Sequence, residues 1–457
     1  MLLIAAALLT ASMHSLGVVE APDAPPTPAV VAVHSVSALS EDAPVPLPVM
    51  TGGQITPDEV AHARGRTFLD DLTRLSTDDL RTAGTDAAVV AVPQDDPPEA
   101  AEVAVWWAGL DGDERQVLET LAPAVVGNLD GVPYDVRDRA NRVVLTAALA
   151  APTTPASESA MLGQVRKSLH TEPGDPYRSL ITLDTRGAGR AAIAIGDLAT
   201  AADVTVVVPG MFFTVTGQMV DFTATANDLA AEQATLAPVA AAVPGDGTGN
   251  GVAVVAWMGY RTPDLSNILS LGLAETGAAR LERAVAGLRA VRGVQEPRLN
   301  IVAHSYGSTT ALIALASGRM TADSLTVLGS PGSSVRTASQ LAVDPDEVFV
   351  GNAHSDPIAG SGYFGTDPGS ASFGATALDL GTSAGIVDGD VFRRPVGHND
   401  YLKPGTASLH DVALVAVGRG DLVRERQRRG EGGGDSVVPG SPDMYLVRPQ
   451  DLQQQRD

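Results

Sequence analysis

Leu299-Asn300-Ile301-Val302-Ala303-His304-Ser305-Tyr306-Gly307-Ser308 is the stretch that decides how this chain reads. Leu299 to Ala303 is apolar apart from Asn300, and Ser308 to Ala316 is a run of small and aliphatic residues suited to a helix. A buried strand that turns sharply into a helix has this character. A serine at such a corner is held in a strained backbone region with its hydroxyl above the sheet, so its neighbours two positions away must be small. Gly307 meets that demand, and Ala303, where glycine is usual, adds one methyl group. The pattern is that of a nucleophile elbow, with Ser305 as the candidate nucleophile.

Outward from this corner, short β-branched runs alternate with longer helical stretches from about Tyr177 onward, the signature of βαβ units. Candidate strands are Leu180–Asp184, Ala191–Ile195, Val204–Val208, Val252–Trp257, Leu299–His304, Ser324–Leu328 and Glu347–Gly351. Helices are expected over Thr223–Leu236, Ala274–Val291 and Ser308–Ala316. Val252–Trp257 is apolar throughout and Val204–Val208 is broken only by Thr205, as expected of central parallel strands buried on both faces. The class is α/β, a mainly parallel sheet flanked by helices.

An elbow serine needs a base, and the base needs an orienting carboxylate. On a sheet of this kind they follow in the order serine, acid, histidine. Asp356 ends the strand Val348-Phe349-Val350-Gly351 and its short loop, at the edge where open α/β sheets place ligands. The preceding strand end, Leu328-Gly329-Ser330-Pro331-Gly332, offers no carboxylate, while Asp367, Asp379, Asp388 and Asp390 are rivals on less defined loops. Of the histidines that follow, His398 lies in a Gly-flanked loop able to swing it over the sheet, whereas His410 sits in a helical pattern. His398 is the preferred base. His304 and His354 adjoin motif residues and read as supporting or core groups.

A developing oxyanion requires backbone N–H donors, one following the serine and one from the loop after an earlier strand. Tyr306 would supply the first. The Pro209-Gly210 turn after Val206-Val207-Val208 suits the second, from Met211 or Phe212, with Met211 adopted. Met211-Phe212-Phe213 either lines an acyl pocket, with Phe212 as a substrate contact, or packs in the core.

The rest of the chain bounds these expectations. Its 457 residues carry a net charge of −23, which repels phosphate backbones and argues against nucleic acid as a partner. With no cysteine, disulfides and thiolate-held metals are excluded, and no metal or organic cofactor is expected. Residues 1–21 form a signal-like apolar segment that lacks the usual basic start. It predicts secretion or a cell-envelope location, and a cytoplasmic one if it is not a signal. A Pro/Ala-rich linker is expected over residues 22–53, and a helical region over 54–165. That region opens at Thr56-Pro57-Asp58-Glu59, breaks at Pro93–Pro98, and continues as two or three helices from about Glu99 to Ala150. Its Trp106-Trp107 pair reads as core packing. The α/β domain is placed at 170–420 and a flexible polar tail at 421–457, where Arg424 to Arg429 form the one basic cluster. Membrane association and oligomeric state are not read from these residues.

The combination Gly196-Asp197-Leu198, Val208-Pro209-Gly210-Met211, His304-Ser305-Tyr306-Gly307, Ser355-Asp356-Pro357 and Gly397-His398-Asn399-Asp400-Tyr401 resembles an actinobacterial α/β-hydrolase family, DUF1023. Gly127-Asn128-Leu129-Asp130-Gly131-Val132-Pro133, with Arg137-Asp138 and Ala140-Asn141-Arg142, resembles the helical region that often precedes that domain. The resemblance implies an α/β-hydrolase fold with Ser305, Asp356 and His398 as the triad. It implies a serine hydrolase acting on a small-molecule ester or related acyl substrate. The alternative is a catalytically silent scaffold of the same fold that binds another protein at the cell envelope.

Overall fold

Eight strands form one sheet in the order β1-β2-β4-β3-β5-β6-β7-β8. The computed structural model describes residues 55–237, 251–264, 266–381, 383–384 and 391–424. The apolar 1–21 segment, the 22–53 stretch, Asp388, Asp390 and the tail from residue 425 lie outside the described residues. Strands β1 (Arg178–Asp184) and β2 (Arg190–Ile195) form a hairpin, and β2 also runs antiparallel to β4 (Val252–Met258). All other pairings, through β3 (Asp203–Val208), β5 (Arg298–His304), β6 (Ser324–Leu328), β7 (Val348–Gly351) and β8 (Thr376–Ala377), are parallel. The seven expected strands all form, within two residues of their expected bounds. The two-residue β8 carries too short a pattern to be read from sequence.

Alternation in β3 explains why the sheet is covered on both faces. Val204, Val206 and Val208 pack toward helices Gly272–Arg292 and Tyr306–Ala316, and Val207 packs toward helices Val215–Leu236 and Ala407–Ala416. Thr205, the one polar residue inside the strand after Asp203, accepts a hydrogen bond from Gln233 of the second pair at 3.0 Å, which satisfies its buried hydroxyl. The helix expected from Thr223 starts eight residues earlier, at Val215, with Thr214 as its N-cap. Val215, Thr216 and Gly217 are weak helix formers and hid that start.

Asp203 opens β3 opposite Arg298 of β5. Burial raises its pKa to about 6; Arg298 lowers it and Asp323 raises it further. An unfolded aspartate titrates near ~3.9, so between the two values the folded chain holds a proton that the unfolded chain has lost. Stability therefore falls as pH rises from about 4 to about 6, and remains lowered above that. Asp203→Asn removes the penalty. Its unfolding free energy should rise at about pH 7.5 by on the order of 1–2 kcal/mol, seen as a higher thermal midpoint, and stay unchanged near pH 4. An equal gain at both pH values would show that the carboxylate is not the cause.

The N-terminal helices bury Val60, Phe68, Leu72, Trp106, Trp107 and Leu118 in a core of their own. Thr56 and Glu59 close the capping box of the first helix, Pro57–His62. Four helices, rather than two or three, occupy the stretch to Ala150, and Pro93 lies inside helix Ala87–Asp95 instead of breaking it. Pro93 cannot donate to the carbonyl of Val89, and the helix ends two residues later, at Asp95. This region also covers the sheet's edge. Asn128 accepts from Leu183 N–H and donates to its carbonyl (3.0 and 2.9 Å), Asn141 donates to Leu180 O (2.9 Å), and Asp138 accepts from Leu180 N–H (2.6 Å). Those bonds occupy groups that edge strand β1 would otherwise leave open to pairing with another chain. At the other end the packed chain passes Gly420, since Val423 is fully buried.

Candidate active site

Ser305 follows the last residue of β5 and is the N-cap of helix Tyr306–Ala316, with φ 55° and ψ −129°. Apart from Phe212 (φ 62°), it is the one non-glycine residue with positive φ among the described residues. A left-handed backbone at a residue with a Cβ is costly and persists only where the surroundings enforce it. They do so here through close approaches. A Cβ on Gly307 would lie 2.5 Å from Pro209 O, and one on Gly210 would lie 2.7 Å from Ser305 Cβ. Ala303 is fully buried and paired to Val208 and Val327 on its two sides, so the sheet holds the extra methyl group.

Three residues distant in sequence meet above this corner. His398 Nε2 lies 2.8 Å from Ser305 Oγ, and His398 Nδ1 lies 2.9 Å from each carboxylate oxygen of Asp356. Asp356 also accepts from Ile358 N–H at 2.8 Å and from the Tyr401 hydroxyl at 2.7 Å. Burial by itself raises the Asp356 pKa, but the bond and charge of His398, with the Tyr401 and Ile358 donors, outweigh it and hold the carboxyl below its usual range. Asp356 is therefore an anion wherever imidazole chemistry operates.

Tyr401 was not among the residues picked out individually by the sequence reading. Its hydroxyl donates to Asp356 and accepts from Ala353 N–H at 2.8 Å, locking the acid to its own loop. The signal lay in the Gly397 to Tyr401 motif, but spacing alone assigned that tyrosine no partner. Gly329, at φ +58°, lies at a strand end without an acid, and nothing in its local sequence signals a role. A Cβ there would come within 2.6 Å of Asp356 Oδ2 and 2.9 Å of His398 Nδ1.

The rival residues lie elsewhere. Asp367 and Asp379 each accept a backbone N–H two residues on, as turn-forming side chains do. His410 is on helix Ala407–Ala416, 2.8 Å from Glu232, and His354 is exposed. Between the two amides offered by the sequence as second oxyanion donor, Phe212 N–H is engaged by Pro263 O at 3.0 Å, which leaves Met211. Tyr306 N–H is the first of its helix and has no intrahelical acceptor. Phe212 packs against the core, and it is Phe213 that lines a cavity of about 680 Å³ beside His398.

Strand order, elbow and the order of the three meeting residues define an α/β-hydrolase fold. A family model described as an alpha/beta hydrolase matches residues 184–366. An uncharacterized Mycobacterium bovis protein, Mb0988c, is 32% identical over 237 residues, covering 50% of this chain and 86% of the relative. The chain thus belongs to the α/β-hydrolase family. An uncharacterized Mycobacterium tuberculosis protein, Rv2079, is 30% identical over 406 residues, or 75% of this chain; the chain spans 60% of that relative's length. Among solved structures, an esterase/lipase from an uncultured bacterium matches at TM-score 0.33 and 10% identity, over 63% of this chain and 97% of the other. Fungal esterase structures from Rhizomucor miehei match at TM-score 0.33 and 12% identity, over 62% and 97%.

Proposed function

We propose that this chain hydrolyses an ester or related acyl substrate through a covalent acyl-enzyme on Ser305, within the actinobacterial DUF1023 group that its motifs resemble. The observation that carries the reading is the unbroken chain from Ser305 Oγ through His398 to Asp356, at 2.8 and 2.9 Å. Such distances are those of a nucleophile, its base and an orienting acid. Because Asp356 is a carboxylate, it accepts from Nδ1–H and leaves Nε2 unprotonated toward the serine.

His398 Nε2 takes the Ser305 proton as Oγ bonds to the acyl carbon, and the carbonyl π electrons move to its oxygen. The Tyr306 and Met211 amides receive that negative charge. On collapse the carbon–oxygen bond to the alcohol breaks, and the alcohol leaves with the proton held by His398. Water then repeats the sequence on the acyl-serine and releases the acid. A fluorophosphonate probe tests this: the expected product is a single adduct mapped by mass spectrometry to Ser305. An adduct elsewhere removes Ser305 from the mechanism, and a folded protein that takes no probe supports the scaffold reading instead.

A further inference from the structure

His304 stands one residue before Ser305, and the mechanism above gives it no part. Its side chain faces the side of the sheet covered by helix Val215–Leu236, bordering the same cavity as Val207 and Phe222. Its Nε2 lies 2.6 Å from the backbone carbonyl oxygen of His398. A carbonyl can only accept, so this nitrogen carries the proton and donates. The two imidazole rings are 4.5 Å apart between centroids and tilted by 43°.

Tyr401 seats the far end of the His398 loop in the core, while the rest of the loop borders a cavity. Residues from Val396 to Lys403 roof the cavity of about 680 Å³, which is floored in part by Phe213, Phe222 and His304 itself. On the cavity side packing is absent, so hydrogen bonds supplement the Tyr401 anchor in placing the loop. Gly397 N–H donates to Ser355 Oγ at 2.8 Å, and Val396 N–H donates to Asp400 at 2.8 Å, a residue that also pairs with Arg393. Asp356 and Ser305 hold the ring of His398; the bond from His304 acts instead on its backbone, and it comes from the strand that carries the nucleophile.

We propose that His304 is a positioning residue that ties the backbone of the base to the end of β5, and so fixes the Ser305–His398 distance together with the Asp356 bond to the ring. The proposal rests on the Ser305–His398 reading above. Burial and the neighbouring His398 ring hold the His304 pKa well below the usual imidazole range, so the tie persists while His398 gains and loses its proton.

His304→Phe keeps a ring in the space and removes the donor, whereas His304→Gln restores an N–H near the Nε2 position. Misplacing a catalytic group by about 1 Å can cost about 10²-fold. For the Phe variant, the fluorophosphonate labelling rate and kcat on a nitrophenyl ester should fall by that amount, with KM within about twofold. The Gln variant should recover to within about tenfold of the parent. A folded Phe variant within about threefold of the parent, a change in KM alone, or a Gln variant as impaired as Phe overturns the proposal. Should the Phe variant fail to fold, His304→Met, similar in bulk and without a donor, takes its place against Gln. Ser305→Ala separates the two readings. If it still labels, the Ser305 mechanism falls and this proposal with it. If it does not label while the Phe variant labels at the parental rate, the His304 proposal alone falls.

Discussion

Ser305→Ala is expected to lower ester hydrolysis by about 10⁴- to 10⁶-fold, leaving the residual that backbone donors and binding supply without a nucleophile. The expected fall is in kcat, because the hydroxyl is the atom that bonds to the acyl carbon. Stability supplies an independent check on the elbow. Alanine retains the Cβ and therefore the strain at φ 55° and ψ −129°. Ser305→Gly should lose the chemistry equally but unfold at a higher temperature than Ser305→Ala. Relief of the backbone strain, about 1–3 kcal/mol, outweighs the ~0.5–1 kcal/mol of extra unfolded-state entropy that glycine brings. Denaturation of the two variants side by side reads the difference. If glycine proves the less stable, the corner is not strained as its dihedrals indicate.

Gly329→Ala should lower kcat by about 10²- to 10⁴-fold although residue 329 has no side chain and takes no part in the chemistry. A methyl group there would sit 2.6 Å from Asp356 Oδ2 and 2.9 Å from His398 Nδ1, between the two atoms whose bond orients the base. A retreat by either partner breaks a bond of the site: Asp356 is tied to Tyr401 and Ile358, and His398 to Ser305. The φ of +58° adds backbone strain to any residue with a Cβ. Steady-state kinetics on a nitrophenyl ester, with circular dichroism to confirm folding, measures the effect. Activity within about fivefold of the parent in a folded protein would mean that the acid and base tolerate separation, contrary to the geometry.

Much of the architecture was legible because it is written in short-range pattern. Val252–Met258 is apolar on every residue, which marks a strand covered on both faces, and the step from Leu299–Ala303 to Ser305-Tyr306-Gly307 marks a strand, a corner and a helix start. Each lies within ten residues. Where the local signal was weak or contrary, the reading slipped: at Val215, whose β-branched start hid a helix, and at Pro93, which lies in one.

The amino-acid sequence by itself determined the class of sheet, the corner that carries Ser305, and the chain order of the acid and histidine that follow. Tertiary structure alone decided which groups touch. His398 meets Ser305 across 93 positions and Asp356 across 42; Phe212 N–H is engaged by Pro263 O; and Gly329 closes against the Asp356–His398 pair. The physical reason is that periodicity and steric demand act along a few consecutive residues, while hydrogen bonds and close approaches depend on distances that exist only after the strands have paired and their loops have crossed the sheet edge.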